Sequence, residues 1–111
     1  LIEPLRALAA LLVGGAQESV KMFEAASHVT REGEREDVQD FFAAADRVVA
    51  IEHDTDQAER KVTSALLAGT SNPALLHLVA GLASALERAA DGLSLAALKL
   101  RDHLLNDIMA A

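Results

Sequence analysis

The sequence predicts an all-α protein, an antiparallel three-helix bundle of long helices. Its 111 residues are 51% hydrophobic but only 3% aromatic, so the core must consist of Leu, Val, Ile and many Ala residues. Small apolar side chains in this proportion favour closely packed helices over a β-sandwich, which is rich in β-branched and aromatic residues. No stretch alternates apolar and polar residues between turn residues, so no strand is predicted. The length suits a single domain over residues 1–111.

Two breaks divide the chain into three predicted helices, at about residues 3–31, 35–68 and 73–109. The first break is the charged segment around Gly33. At the second break, Gly69 suits the end of a helix, Asn72 suits an N-cap and Pro73 suits the first helical position. Since both connections are short, neighbouring helices are expected to run antiparallel.

Each predicted helix carries a stripe of mostly apolar residues at steps of three and four, as a bundle requires. The stripe of the first helix is Leu5, Leu8, Leu12, Ser19, Phe23 and Ala26. That of the second is Val38, Phe41, Phe42, Ala45, Val48 and Val49. That of the third is Leu76, Val79, Ala83, Leu86, Ala90, Ala97 and Leu104. The pair Gly14-Gly15 interrupts the first stripe and predicts a bend there.

The apolar stripe of the second helix runs into carboxylates. Its next positions are Glu52, then Thr55 or Asp56, then Glu59, before apolar residues return. Glu52 and Asp56 are four residues apart, so both side chains project from one face of the helix. Such a pair is common on helices, but here it interrupts an apolar seam.

The third helix carries an equivalent pair, Glu87 and Asp91, at the edge of its apolar stripe. Glu52 and Asp56 precede the connection at residues 69–73 by about as many residues as Glu87 and Asp91 follow it. Because the second and third helices are antiparallel, the two pairs lie at the same height. The four carboxylates are therefore expected to face each other across the bundle.

Four carboxylates at close range need compensation, because ionised they repel each other and their partial burial costs desolvation energy. Protonation with raised pKa values could supply it, as could salt bridges with Arg60 or Arg88, or a bound cation. Carboxylates from facing helices form iron and manganese sites in bundle proteins, and oxygen ligands also suit magnesium or calcium. Glu24 and His28 also share a ligand spacing, but they lie beside the apolar stripe and are interpreted as surface residues.

At these acidic residues the sequence resembles the PhoU family. Residues 86–91, Leu-Glu-Arg-Ala-Ala-Asp, are similar to the family's Leu-Glu-Arg-x-x-Asp segment. Residues 51–56, Ile-Glu-His-Asp-Thr-Asp, are similar to the Glu-x-x-x-Asp segment of PhoU-related phosphate transport regulators. The three-helix layout matches over essentially the whole chain, although PhoU itself has two bundles in tandem. Ala89-Ala90 also departs from the larger apolar residue and Gly that are usual in the family.

The resemblance implies a regulatory adaptor of phosphate transport and phosphate signalling, with no catalytic residues and no enzymatic activity. Its metal ligands would be Glu52, Asp56, Glu87 and Asp91, and the cofactor a divalent or trivalent ion such as iron, zinc, magnesium or manganese. The chain would form a homo-oligomer, a dimer, and would contact a phosphate transporter component or a sensor kinase. Its location would be cytoplasmic, or peripheral to the inner face of the membrane.

Composition argues against several other classes of protein. The formal net charge of −7 and the scarcity of aromatic residues disfavour nucleic-acid binding and attachment to anionic membranes. The absence of Cys excludes disulfides and thiolate chemistry. Residues 62–86 carry no Asp, Glu, Lys or Arg, but a Thr-Ser-Asn-Pro segment in their middle favours a loop, so no membrane span is predicted.

Two alternative functions remain open at this point. One is a catalytic di-metal bundle, which is disfavoured because neither Glu52 nor Glu87 has a His three residues further on. The other is a regulatory or oligomerisation helical module of another ion transport system without metal. The second alternative is consistent with the mean hydropathy of +0.21 and the Ala-rich stripes, which leave apolar surface to cover.

Overall fold

The computed structural model describes residues 1–32 and 35–110 and consists of three helices. These are α1 (Ile2–Glu32), α2 (Arg35–Gly69) and α3 (Pro73–Ala110). Every helix contacts the other two, and the described residues contain no strand, which confirms the all-α three-helix arrangement. The predicted helix bounds agree with these to within one residue. The break predicted around Gly33 lies outside the described residues.

The connection between α2 and α3 follows the capping pattern that the sequence predicts. The side-chain oxygen of Asn72 accepts hydrogen bonds from the backbone N–H groups of Ala74, at 3.0 Å, and Leu75, at 3.4 Å. Asn72 is therefore the N-cap of α3, and Pro73 occupies the first helical position, where a missing N–H group costs nothing. This short turn reverses the chain and places α3 antiparallel to α2.

Ion pairs between helices agree with the antiparallel order. Glu18 of α1 pairs with Arg47 of α2 at 2.7 Å, and Asp46 of α2 pairs with Arg101 of α3 at 3.8 Å. Hydrogen bonding with Arg47, and secondarily with Lys21, lowers the pKa of Glu18. These exposed pairs contribute little to stability, since solvent screens them.

The core consists of two apolar clusters, one towards each end of the bundle. The first cluster is Met22, Ala26, Val29, Phe41, Ala44, Ala45, Val48, Ala97 and Leu104. The second is Leu8, Ala58, Val62, Leu66, Val79 and Ala83. On α2 the clusters leave a gap between Val48 and Ala58, and the acidic residues of the predicted site lie at that level.

One residue of the predicted α1 stripe faces solvent rather than the core. Phe23 is 53% exposed, whereas its neighbour Met22 is completely buried. From buried Ser19 the apolar face continues by a step of three to Met22 and then by a step of four to Ala26. A helical stripe permits steps of three or four, so the sequence pattern alone did not distinguish Met22 from Phe23.

Gly15 lies where the three helices approach each other closely. α1 is one uninterrupted helix through Gly14 and Gly15. A Cβ atom at position 15 would lie 3.4 Å from side-chain atoms of Ile51 on α2 and of Leu93 on α3. The absence of a side chain at Gly15 therefore brings α1 against both other helices at the level between the two core clusters.

Crossing a bilayer requires a helix that is both long and apolar. None of the three helices, as far as residues 1–32 and 35–110 describe them, meets both conditions.

Candidate metal centre

Four acidic side chains converge between α2 and α3 at the level between the core clusters. Glu52 and Asp56 come from α2, and Glu87 and Asp91 come from α3. One carboxylate oxygen from each residue lies within 4.8 Å of the corresponding oxygens of the other three. The prediction that the two pairs face each other is confirmed, whereas their binding of a metal ion stays a prediction.

Thr55 explains why the α2 pair lies on the flank of the core rather than inside it. Thr55 is completely buried, and its hydroxyl group donates a 2.6 Å hydrogen bond to the backbone carbonyl of Glu52. This bond satisfies the hydroxyl within its own helix, so Thr55 can occupy the core position. Glu52 and Asp56 both lie to one side of Thr55 on the helix and are half-buried, facing Glu87 and Asp91 of α3.

On α3 the corresponding core positions are small. Ala90 and Ser94 are buried, and Glu87, half-buried, and Asp91, exposed, lie beside them on the side that faces α2. Small side chains here let the backbones of α2 and α3 approach, which brings the carboxylates of the two helices together. The cluster opens to solvent at Asp91.

Proximity of like groups shifts two of the four pKa values upward. Hydrogen bonding with the neighbouring Asp91 carboxyl is the largest cause that raises the pKa of Glu87 from 4.5 to about 7, followed by partial desolvation. Hydrogen bonding with Asp91 is also the largest cause of the raised pKa of Glu52. Both shifts arise because a protonated carboxyl can donate a hydrogen bond to its neighbour, whereas two ionised carboxylates repel each other.

Basic side chains do not neutralise the cluster. Among the described residues, no Lys, Arg or His nitrogen lies within 4 Å of any carboxylate oxygen of the cluster. Every ion pair in this part of the chain involves other residues. Arg88 instead donates a 3.2 Å hydrogen bond to the hydroxyl group of Ser84. The alternative in which Arg60 or Arg88 forms salt bridges with the carboxylates is therefore wrong for this structure.

The spacing and the chemistry of the four carboxylates fit a cation. Oxygen ligands lie about 2.0–2.6 Å from Mg²⁺ or Ca²⁺, so two ligands of one ion are at most about 4–5 Å apart. The 4.8 Å spread of the cluster falls in that range. An all-oxygen set suits hard cations such as magnesium, manganese or iron better than zinc, which favours His and Cys ligands.

A fifth carboxylate, that of Glu59, borders the cluster, although it is not among the four ligands predicted from the sequence. It is half-buried on α2, and its negative charge contributes to the raised pKa of Glu87. The signal for it was available, since Glu59 follows Glu52 by seven residues and so lies on the same side of the helix.

The other candidate pair remains on the surface, as the sequence predicts. Glu24 and His28 are exposed and line an open depression between α1 and α2, together with Lys21, Asp40 and Arg47. Within the described part of the chain, the only group of three or more acidic, His or Cys side chains close enough to hold one ion is the cluster between α2 and α3.

The fold and the site define a class of protein: a three-helix bundle with a four-carboxylate cluster between its second and third helices. Comparisons of the chain with models of known families, with curated proteins and with solved structures find no significant match. The likeness to the PhoU family therefore depends on the two acidic motifs and on the helical layout.

Proposed function

We propose that the chain is a metal-binding regulatory adaptor of phosphate transport and phosphate signalling. The observation that carries this proposal is the convergence of Glu52, Asp56, Glu87 and Asp91 without a basic partner. The motifs containing these residues are the ones by which the sequence resembles the PhoU family.

A bound cation compensates the cluster better than protons do at neutral pH. With a pKa of about 7, Glu87 is only partly protonated there, so protonation of this carboxyl does not fully remove the repulsion within the cluster. A divalent or trivalent ion would supply positive charge shared by four oxygens. The carboxylates of Glu52, Asp56, Glu87 and Asp91 would hold the ion and thereby tie α2 to α3 at the level between the two core clusters.

Elemental analysis of the purified protein tests the metal site. We expect bound magnesium, manganese or iron in the unmodified protein and its loss in a Glu52→Gln, Asp56→Asn double variant. The matched control is Glu36→Gln, Asp40→Asn, which removes an exposed pair with the same spacing from the same helix and should keep the metal. Both double variants change the net charge equally.

Titration calorimetry with Mg²⁺, Mn²⁺, Fe²⁺ and Zn²⁺ completes this test. Binding that disappears in the site variant but persists in the control supports the proposal. Absence of binding by the unmodified protein, or equal binding by both variants, would refute the metal site.

The adaptor function needs a separate experiment. Affinity purification of the tagged protein from cells grown at low and at high phosphate should retrieve a phosphate transporter component or a sensor kinase. The amount retrieved should change with phosphate and fall in the Glu52→Gln, Asp56→Asn variant. If neither partner is retrieved at low phosphate or at high phosphate, the adaptor function is refuted, whereas the proposal of metal binding is unaffected.

A second candidate function is a regulatory or oligomerisation module of another ion transport system that works without metal. The large apolar side chains that remain exposed, such as Phe23 and Leu78, favour it. It predicts the same melting temperature in chelator and in added metal.

A further inference from the structure

α3 carries a second apolar seam besides the one that faces the core. Its members are all exposed and follow each other at alternating steps of three and four residues, without a charged residue among them. We name this set the α3 strip: Leu75, Leu78, Leu82, Ala85, Ala89, Gly92 and Ala96. Steps of three and four over three heptads are the pattern by which one helix packs along another.

α1 carries a shorter exposed strip with the same spacing. The α1 strip consists of Val13, Ala16, Val20 and Phe23, and its three larger side chains are more than half exposed. The contacts of Gly15 place residue 15 of α1 at the level of residue 93 of α3, and α1 and α3 run parallel. The α1 strip therefore spans the level of about residues 91–101 of α3, beside Gly92 and Ala96 at the end of the α3 strip.

Both strips lie on the side of the α1–α3 pair that faces away from α2. On α1, the ion pair of Glu18 with Arg47 marks the α2 side, and the α1 strip lies on the opposite side of the helix, given 100° per residue. On α3, Glu87 and Asp91 mark the α2 side, and the α3 strip lies beyond Leu93, which meets α1. The two strips thus form one apolar face, away from the carboxylate cluster.

The α3 strip is complementary to itself in an antiparallel arrangement. Its first half has three leucines, and its second half has only Ala and Gly. When two copies of α3 run antiparallel and cross next to Ala85, Leu75 lies opposite Ala96 of the other copy, and Leu82 lies opposite Ala89. Each large side chain then meets a small one. In a parallel pair leucines would meet leucines at one end, and small residues would leave a gap at the other.

The size of this face suits a dimer. The α3 strip is about 32 Å long at 1.5 Å per residue, and the bundle is 20 Å wide. The face therefore covers about 650 Å² before the relief of its side chains is counted, close to the about 800 Å² that each partner buries in a standard interface. Since the chain carries a net charge of −7, an uncharged strip of this length stands out from the rest of its surface.

We infer that this face is the contact between two copies of the chain, in which the two α3 helices pack antiparallel about a two-fold axis next to Ala85. Leu75 and Leu78 of each copy lie over the groove between the α1 strip of the other copy and the end of its α3 strip at Gly92 and Ala96, whereas Leu82 lies over Ala89. The same patch is used by both copies, as a two-fold interface requires. The contact holds whether or not the carboxylate cluster binds a metal ion.

Sedimentation velocity of the full chain over a range of concentrations tests the surface. Leu82→Gln should raise the dimer dissociation constant at least about 100-fold, because each dimer loses two buried leucines. The control is Leu95→Gln: Leu95 is 53% exposed against 50% for Leu82, but it lies about a quarter turn away from the strip. Circular dichroism should show equal helix content in all three proteins, since both leucines are exposed.

Disulfide cross-linking tests the register, because the chain has no Cys of its own. A disulfide requires two Cα atoms about 4.4–6.8 Å apart. Ala85→Cys next to the axis should form a covalent dimer, whereas Leu78→Cys should not, since its two copies would be about 22 Å apart along the helices. Cross-linking at both positions indicates parallel helices and overturns the inference.

Three other results would also overturn it. These are a chain that stays monomeric at all concentrations, an equal effect of Leu82→Gln and Leu95→Gln, and failure of Ala85→Cys to cross-link. A monomer would leave the face to a different partner, such as a helix of another protein.

Discussion

Replacing Glu87 with Gln should stabilise the metal-free protein at pH 8 and change its stability little at pH 5. Glu87 has its pKa raised from 4.5 to about 7, mainly by hydrogen bonding with Asp91. Well below pH 4.5, the Glu87 carboxyl is protonated in both the folded and the unfolded chain, so its favourable contribution to stability is fully present. As the pH rises towards 7, the unfolded chain releases this proton first, and that contribution is lost.

The magnitude of this effect on stability follows from the size of the pKa shift of Glu87. One pKa unit corresponds to about 1.4 kcal/mol, so a change from 4.5 to about 7 has a ceiling of about 3 kcal/mol. Glu87 is only half-buried, and solvent screening lowers the expected penalty at pH 8 to about 1–2 kcal/mol. Gln cannot ionise and avoids the penalty, so Glu87→Gln should raise Tm at pH 8 by about 4–8 °C.

Thermal melting in EDTA at pH 5 and pH 8, followed by circular dichroism, measures this effect. Glu36→Gln is the control, because it removes one charge from an exposed position of α2 and should shift Tm little at either pH. With added metal at pH 8, the unmodified protein should instead have a higher Tm than Glu87→Gln. At about 100 times its dissociation constant, a ligand stabilises the unmodified protein by about 2.7 kcal/mol, and Glu87→Gln should lose most of this gain.

Two outcomes distinguish repulsion among the carboxylates from metal binding. An unchanged or lower Tm of Glu87→Gln at pH 8 in EDTA would refute the repulsion among the four carboxylates. Stabilisation in EDTA without any response to metal would keep the repulsion and refute the metal site.

Three further predictions concern the bundle itself, and chemical denaturation measures each of them. Asn72→Ala should lower the free energy of unfolding by about 1 kcal/mol, because it removes the side-chain cap of α3; no loss would contradict the capping role. Gly15→Leu should cost about 1–3 kcal/mol by overpacking the junction of the three helices, whereas Gly14→Leu, with open space around it, should be neutral or stabilising. Phe41→Ala should cost about 3–5 kcal/mol, because Phe41 is buried in the first core cluster, and a loss under 1 kcal/mol would contradict its place there.

Much of the fold could be predicted because its signals are local. Asn72 and Pro73 define the start of α3 by hydrogen-bonding capacity and by backbone geometry, without any help from the rest of the chain. The heights of Glu52 and Glu87 also follow from local geometry, because each residue of a helix adds a constant rise on either side of a short turn. The prediction that the acidic pairs meet succeeded for this reason.

Other features could not be predicted because they depend on which side chains compete for the same space. Phe23 is exposed and Met22 buried, although both positions continue the α1 stripe. The distance of Arg60 and Arg88 from the carboxylates likewise depends on how α2 and α3 turn about their own axes. The sequence shows the heptad spacing of the α3 strip. Only the structure shows that the other apolar stripe of α3 is the one buried in the core and that the α3 strip stays exposed.

By itself, the sequence determined three helices, their ends, their order and the common height of two acidic pairs, since capping and the rise per residue belong to each segment alone. The tertiary structure decided how far each helix is rotated about its axis. That rotation places Thr55 inside the core and Asp56 beside it, brings four oxygens within 4.8 Å, and leaves a strip of leucines facing outward. The physical reason is that rotation is chosen by packing between helices, in which each side chain takes only the space that its neighbours leave.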